Sequence, residues 1–182
     1  MKTRIITLIL FALAMISCKG DKQEEQKEAA SIEVIKGNDF FTITLDVVAQ
    51  NDDSFHVFYS EDKTENFTEQ NSVWVEFKGA PSSQKLTFNL PKDRIPTNLR
   101  IDFGVNKEQK EVKINNLEIA YQGKKFNLSG FDFFKFFRPN EAITTIDLST
   151  QTIKAKKEGK DYFGASIYSL EPLSKEMENL LK

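Results

Sequence analysis

The stretch Leu99–Tyr121, LRIDFGVNKEQKEVKINNLEIAY, decides the fold class of the chain. In its first part Leu99, Ile101 and Phe103 alternate with polar residues, which is typical of a strand with one buried face. A second apolar series follows, and its phase shifts by one residue at Asn115-Asn116. A β-bulge is the usual cause of such a shift. The stretch therefore predicts a hairpin of two strands that are joined by a charged turn, with a bulge in the second strand.

Similar alternating segments occur along most of the chain, separated by polar turns. They occupy residues 41–47, 55–60, 73–77, 86–90, 126–128, 143–148, 152–156 and 162–168, and a tight-turn signal at Gln122-Gly123 predicts a hairpin between residues 117–121 and 126–128. Many short strands with almost no helical periodicity predict an all-β protein, an antiparallel β-sandwich of the jelly-roll type. From Pro172, apolar residues recur at helical spacing and predict a short C-terminal amphipathic helix.

The N-terminal residues indicate export and attachment to a membrane. Lys2 and Arg4 precede the apolar run Ile5–Ala14, which has the pattern of a signal peptide and is too short to span a bilayer as a mature helix. Cys18 follows Ser17 directly, and this junction resembles the bacterial lipobox, in which the cysteine is lipidated and becomes the new N-terminus. The resemblance implies that Cys18 carries a membrane anchor. The alternatives are an ordinary secretory signal with an incidental cysteine, or a buried thiol.

These signals predict four segments along the chain. They are a lipoprotein signal peptide (1–17), the lipidated cysteine with a flexible tether (18–31), the β-sandwich domain (32–171) and the C-terminal helix (172–182). The expected location is the bacterial cell envelope, on the extracytoplasmic side of a membrane, and the choice between inner membrane, outer membrane and cell surface stays open.

Composition and motifs exclude several function classes. The formal charge of the 182 residues is −2, and no basic run interleaved with aromatic residues suggests a nucleic-acid partner. One cysteine cannot form an internal disulfide, and the one histidine, His56, which we expect to be exposed, cannot by itself hold a transition metal. No phosphate loop, zinc-protease motif or nucleophile elbow occurs. A carboxylate pair such as Asp102 with Glu118 has the residue types for glycosidase chemistry, but carboxylates on strands are far more often on the solvent face. The sequence therefore predicts a protein that is not an enzyme.

No cofactor is predicted either. Asn51–Asp53 and the pair Asp102 and Asn106 carry oxygens that could bind a structural calcium ion, but their spacing fits no EF-hand loop. A plain turn and a solvated strand are the simpler interpretation of these residues.

Several segments resemble a known type of domain. Residues 57–62 (VFYSED), 66–73 (NFTEQNSV), Leu90-Pro91 and 99–103 (LRIDF) resemble jelly-roll domains of the carbohydrate-binding-module type. The resemblance covers about Asp39–Ser129 and implies a sandwich that stacks the flat face of a sugar ring on an exposed aromatic side chain. The candidate ligand-binding residues are the aromatic Trp74, Tyr59 and Phe67 and the polar Asn66, Glu69, Asn71 and Arg100.

Trp74 is the strongest of these candidates. Its parity is opposite to that of Val73, Val75 and Phe77, so it faces outward if those residues face the core. The alternative is that the 61–72 loop or the C-terminal helix covers this outer face.

These observations predict a lipid-anchored, non-catalytic binding module, glycan-binding or envelope-associated. The alternative is a structural or assembly lipoprotein that binds a protein partner through a sheet edge or through the phenylalanine-rich segment Phe131–Phe137. The simpler interpretation of this segment is that it forms part of the core at one end of the sandwich.

Overall fold

The computed structural model describes residues 37–156 and 164–182. The predicted signal peptide, Cys18 and the tether lie outside the described residues. None of the helices within the described ranges is both long enough and apolar enough to cross a membrane. The strands are β1 (Thr42–Ala49), β2 (Asp53–Ser60), β3 (Ser72–Phe77), β4 (Gln84–Asn89), β5 (Asn98–Phe103), β6 (Val112–Tyr121), β7 (Lys124–Ser129), β8 (Phe137–Pro139), β9 (Thr144–Asp147), β10 (Thr152–Ala155) and β11 (Ala165–Ser169), and the helices are α1 (Gly130–Phe133) and α2 (Glu171–Asn179).

The strands form two antiparallel sheets that pack face to face. The first has the order β4-β1-β6-β10-β9, with β7 also paired to β6, and the second has the order β3-β2-β5-β11-β8. Every second residue of β1 and β5 is buried, so the inner faces of both sheets meet in one apolar core. The predicted antiparallel β-sandwich is confirmed. The pairing is nested, because β2 and β5 pair within the interval between the paired strands β1 and β6.

The strands predicted within Leu99–Tyr121 exist, but they do not form a hairpin. β5 lies in the second sheet and β6 in the first, so the residues between them cross from one sheet to the other. Gly104 begins this crossing with a φ of 88°, and a Cβ at that position would collide with the carboxylate of Asp53. That carboxylate accepts hydrogen bonds from the backbone N–H groups of Val105 (2.8 Å) and Asn106 (3.1 Å), which fixes the path of the crossing.

The bulge predicted in β6 is confirmed. Asp46 of β1 lies opposite Asn116, whereas the next residue, Val47, lies opposite Ile114, so Asn115 is the extra residue. Its Nδ2 donates to Asp46 Oδ1 (3.1 Å) and Ser83 Oγ (2.9 Å). The bulge lets apolar side chains on both sides of the phase shift face the core.

The hairpin predicted at Gln122-Gly123 also forms, between β6 and β7. Both turn residues have positive φ, 47° and 81°, as two-residue hairpin turns of type I′ require.

The predicted C-terminal helix corresponds to α2 and packs on the sandwich. Pro172 stands in its first turn, and the side chains of Leu173 and Met177 are buried in the core, together with Leu180 just after the helix. The helix therefore belongs to the same compact unit as the strands.

The phenylalanine-rich segment around α1 contributes mainly to the core. Phe133 and Phe137 are buried, with ring centroids 4.5 Å apart. Phe134 and Phe136 are half-buried against the core, and Phe131 alone among the five is largely exposed (58%). This arrangement leaves little of the segment free as an aromatic patch.

Candidate functional site

The candidate site lies on the outer face of the second sheet. Strand pairing places Trp74 of β3, His56 of β2, Asp102 of β5 and Ser166 of β11 in one row across that face. A second row contains Phe58 of β2 beside three further residues, Arg100, Tyr168 and Arg138. The segment before β3 adds Phe67 and Glu69. A cavity of about 340 Å³, here called the outer cleft, lies on this face. Of the residues just named, those that line it are His56, Phe58, Phe67, Glu69, Trp74, Arg100 and Asp102.

Trp74 forms an exposed aromatic surface at this cleft. It faces outward, as its parity predicted, and 48% of its surface is accessible. Its indole stacks on the imidazole of His56, with ring centroids 3.7 Å apart and an interplanar angle of 20°. One face of the indole is thus fixed against the protein, and the remaining surface is available for a ligand.

His56 is buried, so the expectation that it is exposed is wrong. It does point away from the core, but Trp74 covers one side of its ring, and Phe58 packs against it at 3.8 Å between centroids, leaving 2% of the residue exposed. Its Nε2 has no hydrogen-bond partner within the described ranges, and Glu69 Oε2 lies 3.7 Å from it. Burial lowers the pKa of His56 to about 4, although the charge of Glu69 opposes the shift. The imidazole is therefore neutral at neutral pH.

Arg100 and Asp102 form an ion pair beside the histidine. The guanidinium donates two hydrogen bonds to the carboxylate, from Nε to Oδ1 (2.8 Å) and from Nη2 to Oδ2 (2.6 Å). The two residues lie two positions apart on β5, so their side chains share the outer face of one strand. Burial raises the pKa of Asp102, and the guanidinium opposes that shift. Arg100 also lies over the ring of Phe58, 4.7 Å from its centroid.

The structure brings together four of the seven ligand-binding residues predicted from the sequence. Trp74, Phe67, Glu69 and Arg100 all line the outer cleft. The candidate Tyr59 is corrected, because it shares the inward parity of Phe55 and Val57, and only 1% of its surface is exposed.

Asn66 and Asn71 do not line the cleft either. The backbone N–H of Asn66 donates to Thr64 Oγ1 (3.2 Å), and that of Asn71 donates to the carbonyl of Thr68 (3.0 Å). Both residues shape the segment that carries Phe67 and Glu69.

Sequence reasoning missed His56, Phe58 and Asp102 as lining residues of the cleft. A signal for the first two exists in β2, where the six residues FHVFYS are buried without interruption. A continuous run of apolar and aromatic residues is typical of a strand that is covered on both faces. Here the outer cover consists of the side chains that build the cleft.

The other sites considered from the sequence are not assembled. Asp102 and Glu118 lie on β5 and β6, in different sheets, so they do not form a catalytic carboxylate pair. Asp52 binds Lys78 (2.6 Å) and the N–H of Gly79 (2.8 Å), and Asp53 holds the crossing loop, so protein donors occupy these carboxylates. In the part of the chain that the structure describes, no group of three or more His, Cys, Asp and Glu side chains is placed to hold a metal ion.

Comparison with known proteins does not assign a function to the cleft. No protein-family model, curated protein or solved structure matches the chain.

Proposed function

We propose that this protein is a non-catalytic glycan-binding module and that the outer cleft is its binding site. The observation that carries the proposal is Trp74, a half-exposed indole stacked on His56 at the edge of a polar cavity. A pyranose ring has an apolar face of C–H groups and a rim of hydroxyls. An exposed indole suits the first, and nearby carboxylate and guanidinium groups suit the second.

The cleft is suited in size and rigidity to a short stretch of glycan. Its volume of about 340 Å³ is at the lower end of the usual range of about 300–1,000 Å³ for ligand sites. The stack with His56 holds the indole in one orientation before any ligand arrives. Binding therefore loses less side-chain entropy than it would with a mobile tryptophan.

The polar groups of the cleft support binding more than catalysis. Two hydrogen bonds from Arg100 engage the carboxylate of Asp102, and Glu118, its candidate partner in glycosidase chemistry, belongs to the other sheet. A glycosidase needs two carboxyl groups on either side of one bond. A module that binds without cleaving needs only the platform and its hydrogen-bonding groups.

We further propose that a lipid on Cys18 anchors the module to a membrane of the bacterial cell envelope, on its extracytoplasmic side. The support is the signal-peptide pattern of residues 1–17 and the lipobox-like junction Ser17-Cys18. An anchored glycan-binding module would hold polysaccharide close to the membrane surface.

Fluorescence titration tests the glycan proposal directly, because Trp74 is the only tryptophan in the chain. Residues 19–182 would be titrated with a broad panel of soluble polysaccharides while the emission of Trp74 is followed. We expect at least one glycan to change the emission in a saturable way. Absence of any response across the panel would contradict the proposal.

A pair of alanine variants adds a control for nonspecific aromatic contacts. Trp74→Ala should abolish retention on the responding polysaccharide in affinity electrophoresis. Phe131→Ala removes an aromatic ring that is 58% exposed and lies outside the cleft, so retention should not change. Equal retention of Trp74→Ala and the unmodified protein would also reject the proposed site.

A further inference from the structure

We infer that the outer cleft selects neutral glycans over acidic ones, and that Glu69 is the residue responsible for this selection. The inference depends on the proposed function, because it names the class of glycan that the same cleft accepts. It follows from the way in which the charged side chains around the cleft are paired.

The two arginines of this face are already occupied by carboxylates. Arg100 makes two hydrogen bonds to Asp102, and Arg138 Nη2 lies 2.8 and 2.6 Å from the two carboxylate oxygens of Glu65. Proteins recognise carboxylate and sulfate groups most strongly through a free guanidinium fork. An acidic sugar would therefore meet guanidinium groups whose charge an internal carboxylate already offsets.

Glu69 adds a negative charge that has no Lys or Arg ion-pair partner among the described residues. Its side chain is 72% exposed, and its one ion-pair contact within the described ranges is with His56, at 3.7 Å. His56 is neutral at neutral pH, so this contact supplies no positive charge. Arg100 and Asp102 cancel each other, so the described lining residues of the cleft carry a net charge of about −1.

The field of Glu69 reaches the interior of the cleft. Burial is the main cause of the raised pKa of Asp102, and the charge of Glu69 raises it further. A ligand carboxylate stacked beside Trp74 would meet the same repulsion. A hydroxyl group at that position would instead donate a hydrogen bond to Glu69.

The exposure of Glu69 determines how strongly its charge should repel an acidic ligand. Two like charges several ångströms apart in a largely aqueous setting repel enough to weaken binding by about three- to tenfold. Added salt should reduce this difference, because the carboxylate is accessible to counterions.

Matched pairs of glycans separate the effect of ligand charge on affinity from the effect of ring geometry. Each neutral polysaccharide of the panel would be paired with its C6-oxidised form, which keeps the linkages and ring faces but replaces a CH₂OH group by a carboxylate. Binding of the full chain in detergent would be measured by calorimetry at low salt. We expect the neutral member of a pair to bind about three- to tenfold more tightly.

Two variants assign the difference to Glu69. Glu69→Gln should bring the affinities for the two members of a pair to within about twofold of each other, since the repelling charge is gone. Glu111→Gln removes an equal charge from an exposed position that does not line the cleft, and it should leave the difference unchanged.

The outcomes separate this inference from the proposed function. Equal or tighter binding of the oxidised glycan to the unmodified protein would overturn charge selection and leave glycan binding in place. An unchanged difference in Glu69→Gln would overturn the role of Glu69. Failure of every glycan, neutral or acidic, to bind would contradict the proposed function itself.

Discussion

The buried histidine makes the stability of this protein depend on pH in a predictable direction. In the folded chain the pKa of His56 lies at about 4, against 6.5 for an unperturbed histidine, because burial disfavours the charged ring. Below pH 6.5 the unfolded chain binds a proton that the folded chain does not bind until the pH approaches 4. The unfolded state then binds more protons, so the free energy of unfolding decreases as the pH falls through this interval.

The expected change in the free energy of unfolding is large relative to the stability of a typical domain. Each unit of pKa difference corresponds to about 1.4 kcal/mol, and the linkage between pH 7.5 and pH 5 amounts to about 2 kcal/mol for these two pKa values. Domains of this size are usually stable by about 5–15 kcal/mol. Asp102 acts in the opposite direction, because its raised pKa lets the folded state take up a proton before the unfolded state does; a variant that lacks only the histidine keeps this contribution.

Urea unfolding at a series of pH values measures this effect. The chain contains one histidine, so an affinity tag without histidine leaves His56 as the only side chain whose ordinary pKa lies between 5 and 8. Far-UV circular dichroism is the suitable probe, because protonation of His56 would itself alter the emission of the stacked Trp74. The unmodified protein should lose about 2 kcal/mol between pH 7.5 and pH 5.

The variant His56→Gln serves as the control. The quantity to compare is the slope of the free energy of unfolding against pH. Replacing a buried ring also changes packing, so the absolute stability of the variant carries no information about titration. Its free energy of unfolding should be nearly constant over the same pH range. The reasoning is refuted if the variant keeps the slope of the unmodified protein, or if the unmodified protein shows none.

Three further predictions concern the bulge, the hairpin and the anchor. Deleting Asn115 should remove the bulge but keep Val112 and Ile114 facing the core, because the shortened β6 then alternates without a phase shift opposite β1; the loss in urea unfolding should be only about 1–2 kcal/mol, from the hydrogen bonds of Asn115, and a much larger loss would contradict the assigned register. Gly123→Ala should cost about 1–2 kcal/mol from backbone strain alone, since φ is 81° and nothing lies within 4 Å of the added methyl group. Cys18→Ala should release the protein from the membrane fraction, and persistent membrane association would disprove lipidation at that residue.

The positions of the strands could be predicted because each depends on local information. The alternation of apolar and polar residues in Leu99–Phe103 indicates a strand with one buried face, whichever strands it pairs with. The bulge was visible for the same reason, since a residue inserted at Asn115 shifts the phase of its own strand. Gln122-Gly123 marks a turn through the backbone preference of two adjacent residues.

Strand pairing could not be predicted in this way, because it depends on residues far apart in the sequence. β5 and β6 are consecutive, and a charged loop joins them, which is also the pattern of a hairpin. The difference lies in Asp53, about 50 residues earlier, whose carboxylate holds the loop on its path between the sheets. No feature within Leu99–Tyr121 records that contact.

The candidate site was predictable only as far as a single strand could reveal it. Parity within β3 was enough to place Trp74 outward. The burial of His56 requires three elements at once, since Trp74 of β3, Phe58 of β2 itself and the segment carrying Glu69 all contribute to its surroundings. A side chain that points away from the core is still buried when its neighbours on the outer face cover it, and strand parity alone does not reveal that cover.

The burial of His56 is itself an argument that the outer cleft has a function. A phenylalanine could stack between Trp74 and Phe58 without leaving a buried ring nitrogen unpaired within the described part of the chain, and it would not make the fold sensitive to acid. Stability alone therefore does not explain an imidazole at this position. Polar groups that are costly to bury are concentrated in proteins at binding and catalytic sites. The histidine, the exposed indole above it and Glu69, whose one ion-pair contact among the described residues is with the neutral imidazole, occur in one cleft, and the proposed ligand binding accounts for all three.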